Sequence, residues 1–154
     1  MANYTSTKQF LEVQIRNLTN AMNPDKVLRQ AVGTMTGELK NRIQQDGKLS
    51  NGGKITSPSP KKFGAYSEGY GKKRAKKGRN ITIIDLTFND QMILNLKPGP
   101  TGPNSFGLGF LSNEQRKIAG FNEERFGAIF DPTDQELKQS LVTINKAIQK
   151  ELSK

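Results

Sequence analysis

Between Lys54 and Arg79 this 154-residue chain carries nine basic side chains and one acid, Glu68. That segment of 26 residues therefore holds +8 of the net charge of +10. Like charges at such density stay in water, because desolvating unpaired ammonium groups costs far more than packing returns. Whatever core the chain builds must come from the flanks. Only 33% of the residues are apolar and the mean hydropathy is −0.67, so that core is modest for the length. The length itself suits one domain, 1–154. Within it, residues 46–80 read as a long basic Gly/Ser/Lys-rich loop or arm. With seven prolines and fifteen glycines, such a chain is expected either to carry a long poorly packed segment or to gain stability by associating with copies of itself.

The flanks are helical in pattern. Leu11, Ile15, Leu18 and Met22 recur at four, three and four residues, one stripe of an amphipathic helix. Asn23-Pro24 ends it and starts the next, Asn23 as N-cap and Pro24 at the first helical position. The second helix carries Leu28, Ala31 or Val32, Met35, Leu39 and Ile43, and Asp46-Gly47 closes it. Gly33 and Gly37, one turn apart within it, predict a closely approaching neighbour, since each costs about 1 kcal/mol relative to alanine. At the other end, Thr133-Asp134-Gln135-Glu136 is a capping box behind Pro132. Leu137, Leu141, Ile144, Ile148 and Leu152 then form a long apolar stripe, with Lys150 and Lys154 where positive charge suits the helix dipole.

Between these helices the period changes. Asp46 to Gly64 reads as loop or disordered arm. Tyr66, Tyr70 and Arg74 share a face if a short helix forms, and Gly78 is placed to end it. "ITIIDLT" (81–87) and "MILNLK" (92–97) read as strands, "PGPTGP" as a breaker, and "FGLGF" (106–110) as a strand with glycines on one face. "SNEQRKIAGF" is a short helix, and "RFGAIF" a turn leading into an extended piece. Segregated helices and strands indicate an α+β fold: a small antiparallel β-sheet packed with two N-terminal helices and a long C-terminal helix, with a long basic loop.

The chain contains no Cys, His or Trp, which excludes disulfides and zinc or haem sites ligated by Cys or His. No cofactor or metal is expected, and no enzymatic activity; Asp85 and Asp90 are the acids weighed for a rival reading as an enzyme. No apolar run approaches the roughly 20 residues of a membrane span, and the N-terminus lacks signal-peptide character. The basic run Lys72, Lys73, Arg74, Lys76, Lys77 and Arg79 can contact phosphates without sequence preference, and Phe63, Tyr66 and Tyr70 offer stacking surfaces. No helix-turn-helix, zinc finger, RRM or KH signature accompanies it. A small basic DNA-binding protein acting through the 54–79 arm is the alternative reading.

The stretch "YSEGYGKKRAKKGRNITIIDLTFNDQM" (66–92) resembles the tail-completion or virion-morphogenesis proteins of tailed bacteriophages. The shared pattern is Tyr66, Tyr70, Arg74 and Gly78, then Asp85-Leu86, then a polar turn and Met92. It continues through "SFGLGF", "NEQRKIAGF", Arg125-Phe126-Gly127 and the C-terminal helix, and so covers about Tyr66 to Leu152. The chain departs from the family in having Asn89-Asp90-Gln91 before Met92 and Arg125 before the Phe-Gly. The resemblance implies a structural virion protein of the neck, assembled in the host cytoplasm. It implies a ring of about six copies joining the head connector to the tail, since such rings are homo-oligomers with heterologous contacts. Implied partners are other copies of the chain, head-completion or connector proteins, and tail tube or tail terminator proteins, with no membrane. Tyr66, Tyr70, Arg74, Glu123, Arg125 and Phe126 are then candidates for subunit contacts. Lys72, Lys73, Lys76, Lys77 and Arg79 are candidates for non-specific contact with packaged DNA in the channel.

Overall fold

A computed structural model of the chain describes residues 24–87, 91–103 and 105–152. The expected helix over Leu11–Met22, the Asn23 cap, Asp90 and Lys154 lie outside these residues. The fold is α+β. Helix α1 (Pro24–Asn41) runs into a π-helical turn (Arg42–Asp46) that ends at Gly47 in the left-handed conformation (φ 61°). A two-stranded antiparallel hairpin, β1 (Lys62–Phe63) and β2 (Tyr66–Ser67), leads into α2 (Glu68–Lys76). A short helix α3 (Gln91–Asn95) feeds the second antiparallel ribbon, β3 (Leu96–Gly102) and β4 (Ser105–Phe110). Helices α4 (Asn113–Phe126) and α5 (Asp134–Leu152) complete the described chain.

Helix α1 is the centre of the core. Leu28, Ala31, Val32, Met35, Leu39 and Ile43 are all buried, on the stripe read from the sequence. This face packs against α5 and the β3–β4 ribbon, whose Ile144, Leu96, Phe106 and Leu108 are buried in the same cluster. The capping box of α5 is present in both directions. The Thr133 amide donates to Glu136 Oε2 at 2.7 Å, and the Glu136 amide donates to Thr133 Oγ1 at 3.2 Å. Among the described residues, no close neighbour stands at Gly33 or Gly37: a Cβ at either position would meet none of them within 4 Å.

Four middle segments differ from expectation. Residues 92–97 are not one strand: Gln91–Asn95 are helical, with Met92 and Ile93 buried, and the ribbon starts only at Leu96. Residues 46–64 are not a loose arm. Lys48 and Lys54 bridge antiparallel, the Ser50 amide donates to the Ala128 carbonyl at 2.9 Å, and Ile55 is buried with its amide on the Gly47 carbonyl at 2.7 Å. A single isoleucine among polar residues gives too faint a period to be read as an anchor. Residues 81–87 form no strand, because side chains take the place of a ladder partner. Asn80 Oδ1 accepts from the Thr82 amide, Asp85 Oδ1 from the Thr87 amide, and the Tyr66 hydroxyl from the Asp85 amide. Leu86 takes a left-handed conformation (φ 55°), which no strand residue adopts. Conversely, "PGPTGP" does not break the chain. β3 continues through Pro98 and Pro100, paired with Leu108 and Phe106, with an irregularity between Pro100 and Gly102. A two-stranded ribbon has a free edge on each strand, where a proline without an amide hydrogen is tolerated.

Candidate functional site

Tyr66, Arg74 and Asp85, far apart in the 66–92 stretch, converge on one buried cluster. Arg74 lies on the inner face of α2 and is 0% exposed; Asp85 comes from the 81–87 segment and is 6% exposed. Arg74 Nη2 donates to both Asp85 carboxylate oxygens at 2.9 Å, and Arg74 Nε donates to the Asn80 carbonyl at 2.9 Å. Tyr66, on β2, donates its hydroxyl to Asp85 Oδ1 at 2.9 Å. The guanidinium carbon stands 4.5 Å from the centroid of the Tyr66 ring, a cation–π contact in a desolvated setting. The Tyr70 ring lies 5.4 Å from that of Tyr66, tilted by 59°. Burial, the largest influence, raises the Tyr66 phenol above its usual value, so it stays a hydrogen-bond donor throughout the range in which the protein works.

Two glycines let the pieces close. A Cβ at Gly71 would collide with the Phe63 carbonyl oxygen, so only glycine allows α2 to lie against the β1–β2 hairpin. Gly64 (φ 65°) passes equally close to the Ile81 carbonyl, which accepts from the Ala65 amide at 2.7 Å. Hairpin, helix and 80–87 segment thus form one interlocked lobe around the Arg74–Asp85 pair. The Asp85 carboxylate, weighed for the rival enzyme reading, already accepts from Tyr66, Arg74 and the Thr87 amide.

Between this lobe and α4 lies an open cleft of about 520 Å³, with Arg74 among its lining and Tyr70, Met92, Glu114, Ile118 and Arg125 around it. The six candidates for subunit contacts therefore divide. Tyr66 and Arg74 are interior, so as contact surface they are corrected: their area is spent on Asp85 and on each other. Glu123 is half-buried, and its Oε1 accepts from the Ile129 and Phe130 amides at 3.2 and 3.0 Å, closing the turn after α4. Phe126 is half-buried and packs against the core. Tyr70 and Arg125 are exposed beside the cleft, Arg125 with its guanidinium carbon 5.2 Å from the Phe126 ring centroid. Five of the six line the cleft, two of them beneath the surface, and Glu123 does not.

The surface itself was missed. Leu111 is 75% exposed, Phe121 68% and Ile118 38%, while α4 buries Gln115 and Ala119 instead. Glu114, Ile118, Phe121 and Arg125 stand four, three and four residues apart, one stripe along the outer side of the helix, and Leu111 is exposed just before its start. The spacing is visible in the sequence, but an apolar helical stripe ordinarily reads as core. Here the core-facing stripe is the more polar one.

Lys72, Lys73, Lys76, Lys77 and Arg79 are all exposed, Lys72 and Lys76 on the side of α2 opposite Arg74 and Lys77 and Arg79 just past its end. Lys72 Nζ pairs with Glu68 Oε1 at 2.6 Å, an exposed pair whose hydrogen bond holds the Glu68 carboxyl below its usual value. No helix among the described residues is long and apolar enough to cross a membrane. No protein-family model matches the chain, and comparison with curated proteins and with solved structures finds no match.

Proposed function

We propose that this chain is a structural protein of the tailed-bacteriophage neck, about six copies of which form a ring joining the head connector to the tail. The observation that carries the reading is the outward stripe Leu111–Ile118–Phe121 beside the cleft. Clustered exposed aliphatic and aromatic side chains on a helix face mark a contact surface. A ring needs a heterologous interface, in which this stripe meets a different surface of the next copy. The resemblance in the 66–92 stretch supports the neck assignment. Its Tyr66, Arg74 and Asp85 have a physical reason to occur together, since they build the lobe that forms the far wall of the cleft.

The test is complementation. In an infection lacking this chain, DNA-filled heads and separate tails accumulate, and adding the purified protein restores joined particles. Complete, infective particles formed without the chain would overturn the reading.

A further inference from the structure

The β1–β2–α2 lobe separates its charges. Arg74 points inward to Asp85, whereas Lys61, Lys62, Lys72, Lys73, Lys76, Lys77 and Arg79 are exposed on its outside. Against these seven cations stands one acid, Glu68. The Glu68 amide donates to the Lys61 carbonyl at 3.0 Å, which ties the hairpin lysines to the start of the helix. The Arg79 amide donates to the Arg74 carbonyl at 3.0 Å, which holds the last cation against its end.

From this arrangement we infer that the outer face of the lobe binds the phosphate backbone of double-stranded nucleic acid without reading sequence. Two features select this partner. Lys72 and Lys76 are one helical turn apart, a rise of about 6 Å. Successive phosphates along one strand of a duplex lie about 7 Å apart through space, the winding of the backbone adding to an axial rise of about 3.4 Å. Lysine ammonium groups are point charges without the planar fork that reads guanine, so they position a duplex and do not specify its bases. A lipid surface fits less well, because the large exposed apolar side chains of the lobe are Phe63 and Tyr70, only 37% and 38% exposed, and Tyr70 lines the cleft. The buried Arg74–Asp85 pair serves this surface by holding the lobe together, so the cations meet the duplex preorganised.

The experiment is anisotropy of a fluorescent duplex of random sequence, titrated with the full chain at several salt concentrations. Wild-type affinity is expected to fall about 10³-fold between about 50 and 200 mM salt. The variant K72Q/K73Q/K76Q/K77Q should bind about 100-fold more weakly at the lower salt, with the logarithmic salt slope reduced by about 3–4. Thermal melting should shift little, since all four side chains are exposed and the Lys72–Glu68 contact is a surface ion pair. The control K138Q/K146Q, on α5, should retain most of the wild-type affinity. A wild type that does not bind, or a control that loses as much as the α2 variant, overturns the inference. So does displacement of the duplex by polyglutamate or anionic vesicles at equal charge concentration. The inference does not depend on the ring: a monomer that binds duplex leaves it standing and counts against the neck reading, whereas a ring indifferent to duplex does the reverse.

Discussion

Asp85→Ala lowers the stability of the fold by about 3–5 kcal/mol, the cost of leaving a buried guanidinium without its counter-charge. Arg74 is 0% exposed, so water cannot replace the carboxylate. The substitution also strips an acceptor from the Tyr66 hydroxyl and from the Thr87 amide. Small domains are stable by only about 5–15 kcal/mol, so this one change consumes a large part of the total. Urea unfolding of the wild type and the variant reads it directly. The double variant Arg74→Met/Asp85→Leu should regain much of the loss, because removing both charges also removes their desolvation cost. A single variant as stable as the wild type would mean that the pair does not hold the lobe.

The second large effect centres on Arg42, at the end of α1. Its Nε donates to Glu136 Oε1 at 2.7 Å, Nη1 to the Lys48 carbonyl at 2.9 Å, and Nη2 to the Ile129 and Asp131 carbonyls at 3.0 and 3.1 Å. Its side chain is 9% exposed and that of Glu136 6%, and Glu136 also serves the cap of α5. One guanidinium thereby joins α1, the 48–54 hairpin, the turn after α4 and the start of α5. Arg42→Ala is expected to cost about 3–5 kcal/mol, since a buried carboxylate and three carbonyls lose their donor together. Arg42→Lys should recover little, because an ammonium cannot present donors in the planar fork these partners require. Hydrogen exchange should show the amides of Leu49, Ser50 and Ile55 losing protection first. Protection lost evenly over the whole chain would contradict this local role.

Helices α1 and α5 were legible in the sequence because each carries an apolar stripe with its own stop or start signal, and β4 because its apolar residues alternate. What stayed hidden depends on partners distant in the chain. Arg74 read as sharing a contact face with Tyr66 and Tyr70 and as one of the basic run, because nothing near it in the chain shows that Asp85 lies beside it and draws it inward. The 81–87 segment has the composition of a strand, yet its hydrogen bonds go to Asn80, Tyr66 and its own Asp85, a choice made by the closed lobe. The candidate site was legible in part: Tyr70 and Arg125 do flank a common cleft. Leu111, Ile118 and Phe121 escaped because apolar periodicity tells that a helix has a sticky side, not whether its own chain covers it.

In the ring proposed above this sticky side is covered by another copy. Light scattering after size exclusion, at rising protein concentration, measures the molar mass of the wild type beside Phe121→Asp. The expected wild-type mass is several times the 17.1 kDa of one chain, approaching six copies, and the variant should fall to a single chain while keeping its fold. A wild type that remains at one chain mass at every concentration, or a variant that assembles as the wild type does, would contradict it.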